Sequence, residues 1–216
     1  MKRIIVLVEG QTEERFIKDV LNPFLEDENI FLLTTIVNTK RVKGGANFKG
    51  GLYSYSAAKR DLMKLFTDTS IAGVTTMFDF YGLPTDFPGF GTGGVSCYEK
   101  VEAIESAFAS DINKLKFIPY IQLHEFEGLL FSSPGEIANT LDVSELKKIQ
   151  AIRDLFTSPE EINQGRETAP SKRLLKIFPK YNKVVYGAMI ASRIGVTDIK
   201  NNCPHFNQWI EKLKSL

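Results

Sequence analysis

Residues 3–10 of the chain are RIIVLVEG. The continuous run of β-branched and aliphatic residues predicts a strand that is buried on both faces, as strands of parallel sheets are. Glu9 and the following glycine end this run. From residue 12 to about residue 27 apolar side chains recur at helical spacing, with Glu13 in the first turn, where the helix dipole favours negative charge. The segment therefore predicts a strand, a turn and an amphipathic helix.

The same alternation continues along the first 131 residues. Further strands are predicted over 30–37, 73–78 and 117–123, and further helices over about 53–67 and 98–114. This order is typical of an α/β fold with an open, mostly parallel sheet of about four strands flanked by helices. Only helical patterns follow, over 144–156, 171–180, 183–193 and 204–214. We expect an α/β domain over 1–131 and a helical part over 132–216, packed as one structural unit.

The composition is that of an ordinary globular protein, with 216 residues, 43% hydrophobic and 25% charged. It excludes a disordered chain, a collagen or a coiled coil. No apolar stretch approaches the length of a membrane span, and two cysteines are too few for a disulfide framework. We therefore expect a cytoplasmic protein.

Charge is divided unevenly between the two ends of the chain. Residues 1–164 carry 17 Lys and Arg against 23 Asp and Glu, whereas residues 165–216 carry 10 against 3. An acidic body with a basic end favours metal or proton chemistry in the first part and an anionic partner for the second. The alternative, with equal weight, is that the acidic part and the basic part are both ordinary solvent-exposed surfaces.

Acidic residues follow the predicted strands at the points where those strands end. Glu9 follows the first strand, Asp79 the third, and the fourth is followed by His124, Glu125 and Glu127. Ligands of open α/β sheets bind beyond the carboxyl ends of the strands. Clustered carboxylates repel one another unless they share a cation or a proton, and hard oxygen ligands suit Mg²⁺ or Mn²⁺. The alternative is that these acids cap helices or turns.

Several blocks of the sequence resemble known proteins. The segment VEGQTEERF, with Glu9 at the strand end and Asp79 closing the third strand, resembles the Toprim fold of topoisomerases, primases and OLD-type nucleases. Five ordered blocks resemble an uncharacterised bacterial Toprim-like family, the domain of unknown function 4276, over nearly the whole chain. These blocks are VEGQTE, TTMFDFYGLP, PYIQLHEFEGLLF, EEINQGRETAPSKRL and CPHFNQW.

The resemblance implies roles for particular residues. Glu9 corresponds to the lone Toprim glutamate and Asp79 to the first acid of the DxD motif, whereas Tyr81 stands where the second acid is expected. Glu127, or alternatively Glu125, would supply the missing metal ligand. Two further residues are candidates for the same site: Glu13 as a ligand, and His124 as an orienting group, a proton shuttle or a structural residue.

Basic residues predict contacts with a phosphate backbone. Ser171 is a candidate N-cap, and Lys172 and Arg173 follow in the first helical turn, where cations oppose the helix dipole unless an anion is bound there. Lys43, in a loop with two other cations, is a second candidate. A solvated basic face is the alternative to phosphate binding. The glycine-rich segment 81–94 lacks the strand context of a dinucleotide site and suggests a mobile flap over the acidic edge.

These features favour a Mg²⁺- or Mn²⁺-dependent phosphodiester-cleaving enzyme that acts as a DNA nuclease. The family resemblance implies an ABC-like ATPase partner and a role in an anti-phage or other conflict system. The alternative is a catalytically degenerate Toprim-like binding subunit of an ATPase complex, which the tyrosine at position 81 favours. A third reading is an enzyme that uses the same acids on free nucleotides.

Overall fold

The strand β1 (Lys2–Val8) lies inside a parallel sheet and is buried along most of its length, as its apolar run predicts. β2 (Ile30–Ile36) pairs with one edge of β1, and β3 (Gly73–Asp79) pairs with the other. Both β1 and β3 run toward the same edge of the sheet and end beside Glu9 and Asp79. The computed structural model describes residues 1–37, 51–163, 165 and 167–216, and the predicted phosphate-binding Lys43 lies outside these ranges.

The fourth strand is broken in two. β4 (Phe117–Ile118) and β5 (Ile121–Gln122) both pair in parallel with β3, which completes a five-stranded sheet in the order β2-β1-β3-β4 with β5 also on β3. The prediction of one continuous strand was wrong, because Pro119 has no N–H to donate. The hydroxyl of Thr76 bridges the break: its Oγ1 accepts from Tyr120 N and donates to Tyr120 O, both at 3.0 Å.

Helices surround the sheet and make up most of the C-terminal part. Their bounds are α1 (Gln11–Phe16), α2 (Asn22–Leu25), α3 (Tyr55–Leu65), α4 (Cys97–Ile112), α5 (Glu127–Leu130), α6 (Pro134–Leu141), α7 (Leu146–Arg153), α8 (Pro170–Ile177), α9 (Ala188–Ile194), α10 (Val196–Asn202) and α11 (Pro204–Ser215). Short π-helical segments cover Ile17–Leu21 and Lys183–Gly187, and 3-10 turns cover Glu26–Glu28, Phe80–Gly82 and Pro159–Glu161. The sequence did not predict α5, α6 and α10, which are only four to eight residues long.

The predicted helix over 12–27 is not a regular α-helix. Its middle, Ile17–Leu21, is π-helical, and Pro23 follows in the first turn of α2. A proline inside a helix cannot donate the usual hydrogen bond, and a wider turn before it absorbs the resulting offset. Phe16, Ile17 and Leu21 are nevertheless fully buried, so the apolar face is the one that the spacing predicts.

Two apolar cores lie on opposite faces of the sheet. Alternate residues of β1, such as Ile4 and Val6, pack with α1 and with the C-terminal helices in one core. The intervening Ile5 and Leu7 pack with α3 and α4 in the other. Because α11 shares a core with β1, the C-terminal helices are packed directly on the sheet. The boundary between 131 and 132 stays a prediction.

An aromatic stack fixes α11 to the sheet. Tyr120 lies between Trp209, at 4.3 Å between ring centroids, and His205, at 5.2 Å. The indole Nε1 of Trp209 donates to Thr75 Oγ1 in β3 at 2.8 Å. The indole N–H of this stack is thus hydrogen-bonded inside the core, as a buried Trp requires.

The glycine-rich segment is packed rather than free. A Cβ atom at Gly89 would come within 2.9 Å of Ala103 O, and one at Gly93 within 2.9 Å of Glu99 O, both in α4. Both glycines have positive φ, 76° and 100°, so neither the space nor the backbone suits another residue. Leu83 and Phe87 are buried beneath the segment. The segment is therefore anchored on α4 at these points, and a movement of it over the acidic edge stays a prediction.

In the described part of the chain, no helix combines the length and the apolar character that a membrane crossing requires.

Candidate active site

A cleft of about 410 Å³ opens at the carboxyl edge of the sheet. Three acids line it together with one lysine: Glu9, Glu13, Asp79 and Lys183. The sequence places the first two four residues apart across the start of α1, with Gly10 in an extended conformation as the N-cap between them. Because a helix brings residues of its first turn back toward the cap, both carboxylates belong to one end of α1.

Glu9 connects the first and third strands. Its Oε1 accepts a hydrogen bond from the backbone N–H of Asp79 at 2.8 Å. Burial and the nearby Glu13 carboxylate raise the pKa of Glu9 to about 7, against the opposing effects of this hydrogen bond and of Lys183. Glu9 is thus held in place but is costly to ionise.

Asp79 stands at the end of β3 and faces the other acids. Its Oδ1 accepts from the backbone N–H of Phe126 at 3.0 Å, which ties the start of α5 to the sheet edge. Burial raises the pKa of Asp79 well above its usual value, and the charges of Glu9, Glu13 and Glu127 raise it further. The carboxylates that raise the pKa of Asp79 thus come from three separate parts of the fold.

Glu13 and Glu127 are the most deeply buried acids of the group, at 3% and 1% exposure. Burial raises the pKa of both, that of Glu127 to about 7. Glu127 Oε1 has no hydrogen-bond partner among the described residues. A buried carboxylate oxygen without a partner is unfavourable, and so this atom marks a position where a cation or a donor would be stabilised.

Lys183 is the functional candidate that the sequence did not indicate for this site. It begins the π-helical segment Lys183–Gly187, where the side chain of Asn182 accepts from the N–H groups of Val184 and Val185. Burial lowers the pKa of Lys183, but the attraction of Glu127, Glu13, Asp79 and Glu9 raises it overall. Sequence spacing alone does not bring it to this site, since more than 50 residues separate it from Glu127.

Glu125 and Glu127 diverge, as expected if a helix rather than a strand continues after β5. Glu125 Oε2 accepts from the backbone N–H of Ser171 at 3.0 Å, at the start of α8. Glu125 therefore caps a helix, although its charge still contributes to the raised pKa of Glu127. Its predicted role as a metal ligand is not tested by this contact.

The start of α8 differs from the prediction. Ala169 is the N-cap and Pro170 the first helical residue, so Ser171 is not the cap. Lys172 and Arg173 suggested an anion bound at this end of the helix. At the Ser171 N–H, that position is taken by the chain's own Glu125 carboxylate. Arg173 Nε donates to Thr168 O at 2.6 Å, whereas Lys172 is exposed. Of this group, Lys172 is the side chain most available to a phosphate backbone.

His124 lies at the sheet edge with a left-handed backbone, φ 61°. Its Nδ1 is 3.2 Å from Asn163 Nδ2, and its ring lies 6.2 Å from that of Phe80. Burial, and to a lesser degree Lys100, lowers the pKa of His124 to about 4, so the imidazole is neutral at pH 7. It could accept a proton only weakly, and its catalytic role stays a prediction.

The donor set suits a hard divalent cation, because it consists of carboxylate oxygens, several of them reluctant to ionise beside one another. The unpartnered Glu127 oxygen agrees with this chemistry. Across the ranges that the structure describes, however, no three His, Cys, Asp or Glu side chains already converge as a metal-binding group.

The fold and the cleft define an α/β protein with acids gathered at the carboxyl edge of a parallel sheet. The chain belongs to the family described as Domain of unknown function (DUF4276), whose model matches residues 8–214. No curated protein matches it. Among solved structures, the C-terminal region of the Burkholderia pseudomallei OLD protein aligns at 14% identity and a TM-score of 0.49, over 100% of this chain and 98% of that one. The corresponding region of the Xanthomonas campestris pv. campestris OLD protein aligns at 16% identity and a TM-score of 0.41, over 98% and 95%.

Proposed function

We propose that this chain is a Toprim-like phosphodiester hydrolase that cleaves DNA with Mg²⁺ or Mn²⁺. One observation carries the proposal: acids from three elements gather at a single cleft, and burial raises the pKa values of Glu9 and Glu127 to about 7. Such an arrangement is unfavourable for the empty protein, and a divalent cation would relieve it. Raised pKa values in a cleft are typical of functional sites.

Each residue of the cleft would have a separate role in this reaction. Glu9, Asp79, Glu13 and Glu127 would hold the cation, and Lys183 would contact a non-bridging phosphate oxygen. When bound, the cation would polarise the phosphodiester and lower the pKa of a water molecule. Glu9 keeps its position relative to β3 through the Asp79 N–H, and Asp79 keeps its position through the Phe126 N–H. These bonds preorganise the carboxylates before substrate binds.

Calorimetric titration with Mn²⁺ tests the metal site. We expect the wild type to bind Mn²⁺, and Asp79→Asn and Glu9→Gln to lose at least about tenfold in affinity, since each removes a charge from the ligand set. Glu14→Gln is the matched control, because Glu14 follows Glu13 in α1 but does not line the cleft. Circular dichroism checks that each variant folds. A wild type that binds no Mn²⁺, with or without DNA, would remove the basis of the proposal.

Cleavage of supercoiled and linear DNA in Mg²⁺ or Mn²⁺ then tests the reaction, with and without the expected ATPase partner. We expect activity that chelation abolishes and that Asp79→Asn lacks. Turnover of free nucleotides without cleavage of polynucleotides would instead support the small-molecule alternative.

DNA binding is proposed to involve Lys172 and Arg173, with affinity that falls steeply as salt rises. Lys172→Gln should weaken binding to all sequences alike and should lower the slope of log K against log salt by about 1. Fluorescence anisotropy at several salt concentrations measures both effects. An unchanged slope would remove Lys172 from the interface.

A binding subunit without catalytic activity is the second candidate. It is favoured by Tyr81 at the position of the second Toprim acid and by the lack of a converged metal-binding group among the described residues. Metal binding without cleavage, in the presence of an ATPase partner, would support this candidate.

A further inference from the structure

A second, smaller cavity of about 170 Å³ adjoins the acidic edge. Its walls are two aromatic rings, a glycine-rich backbone, one cation and one aliphatic side chain, namely Phe80, Phe90, Gly91–Gly94, Lys100 and Ile104. Phe90 is 36% exposed and makes no ring contact with another aromatic side chain in the part of the chain described. An exposed phenylalanine in a cavity offers an unoccupied apolar face.

The packing of the glycine-rich segment on α4 forms this cavity. Gly89 and Gly93 lie directly against the α4 backbone, on either side of Phe90 and Gly91. A Cβ atom at Gly91 would meet nothing within 4 Å, so the space in front of it is open. The cavity is therefore set by backbone packing rather than by the rotamers of long side chains.

The cavity and the acidic cleft share one turn of the chain. Asp79 lines the cleft, and the next residue, Phe80, lines the cavity. The Tyr81 N–H donates to His124 O at 3.1 Å, which fixes this turn to the loop before α5. Lys100 lies close enough to His124 for its charge to affect that imidazole. The two sites are therefore lined by consecutive residues of the chain, Asp79 and Phe80.

We propose that this cavity takes one unpaired nucleobase of the DNA strand whose backbone enters the acidic cleft. The inference rests on the proposed function and names its substrate class, single-stranded or locally unpaired DNA. A planar base can stack on Phe90 and Phe80, as bases do on the aromatic side chains of single-strand-binding proteins. Lys100 is the cation for the adjoining phosphate. A base in a duplex is already stacked on both faces and cannot enter.

The test compares single-stranded and duplex DNA of one sequence, made with phosphorothioate linkages that resist cleavage, in Mn²⁺. Phe90→Leu keeps an apolar side chain but removes the ring. We expect it to weaken single-strand binding about tenfold, with a change of less than about twofold for duplex, from the usual strength of one base–ring stack. Phe90→Trp should retain single-strand binding, because it keeps an aromatic ring. Lys100→Gln should weaken single-strand binding separately, because it removes the cation.

Phe31→Leu is the matched control. Phe31 is 37% exposed, almost the same as Phe90, but it lies near the start of β2, at the opposite edge of the sheet. A strand carrying 2-aminopurine adds a spectroscopic signature, since its fluorescence falls when the base stacks. We expect quenching on the wild type and on Phe31→Leu, but not on Phe90→Leu.

The outcomes separate the two proposals. If the wild type binds and cleaves DNA, and Phe90→Leu changes neither single-strand affinity nor 2-aminopurine fluorescence, the cavity is not a base site and the proposed function stands. Equal losses for single-stranded and duplex DNA also overturn the inference. If the wild type binds neither form, both proposals are wrong.

Discussion

The two histidines of the chain have opposite environments. Burial lowers the pKa of His124 to about 4, from an ordinary value of 6.5. Burial also lowers that of His205, but the hydrogen bond from its Nε2 to Glu105 Oε1, at 3.0 Å, together with the Glu105 charge raises the pKa overall. The fold stabilises one imidazole in its neutral form and the other in its protonated form, although burial alone lowers the pKa of both.

The histidines should therefore affect stability at opposite ends of the pH range. The folded state disfavours protonation of His124, so its contribution is present above about pH 6.5 and is lost as pH falls toward about 4. The contribution of His205 is present below pH 6.5 and is lost as pH rises through its raised folded-state pKa. Each slope is at most about 1.4 kcal/mol per pH unit.

Thermal unfolding at a series of pH values checks this prediction. His124→Gln should flatten the acid side of the stability curve, and His205→Gln the alkaline side. Differences between variant and wild type are compared, because the raised pKa values of Glu9, Glu127 and Glu160 also make stability fall as pH rises from 4.5 to about 7. If the stability curve of either variant runs parallel to that of the wild type over the whole pH range, the role given to that histidine is wrong.

At the scale of the elements, capping explains an acid that the sequence could not assign. Glu125 and Glu127 are separated by one residue, and the sequence allowed either of them as the missing metal ligand. α5 begins at Glu127, so Glu127 is buried close enough to Asp79 for its charge to act on it, while Glu125 reaches the start of α8. A negative charge at a helix N-terminus is favourable, which accounts for Glu125 without any metal.

Glu125→Ala should therefore reduce stability but spare metal binding. We expect a loss of about 1 kcal/mol in the free energy of unfolding, typical of a lost N-terminal capping interaction. Urea unfolding measures this loss, and Mn²⁺ titration of the same variant should match the wild type. A large loss of Mn²⁺ affinity would instead make Glu125 a ligand, as the sequence alone allowed.

The regular elements were the most predictable part of the fold. Apolar runs located β1, β2 and β3 to within about two residues, because buried parallel strands have a strong local signature. Pro119 is visible in the sequence, but the bridge to Thr76 across the break and the bond of α5 to Asp79 are contacts that no local pattern contains. The acids Glu9 and Asp79 were predictable from strand ends, whereas Lys183 reaches the cleft only through the packing of the C-terminal helices.

At the scale of the whole molecule, the acidic and basic parts of the chain are joined by a shared core. One core holds residues of β1 together with Phe206, Trp209 and Leu213 of α11. Glu160, fully buried, accepts from the N–H groups of His205 and Phe206, both at 3.0 Å, and so fixes the start of α11. The sheet edge that carries Asp79 therefore depends on helices more than 120 residues further along the chain.

A fragment of residues 1–131 should not fold on its own. It would lose the partners of Tyr120 and Thr75 and expose one face of the sheet, so we expect no cooperative thermal transition and strong binding of a hydrophobic dye. Calorimetry of the fragment beside the full chain makes the comparison. A sharp transition in the fragment would support two independent domains with a boundary near residue 131.

The stack of Tyr120 and Trp209 also gives the molecule an optical reporter. Trp209 is the only tryptophan of the 216 residues, and its indole is 2% exposed and bonded to β3 four residues before Asp79. Its emission should be blue-shifted in the native state and should move to longer wavelength when α11 leaves the sheet. Any displacement of α11 from β3 would change this single emission band, so helix docking can be followed in the unlabelled protein.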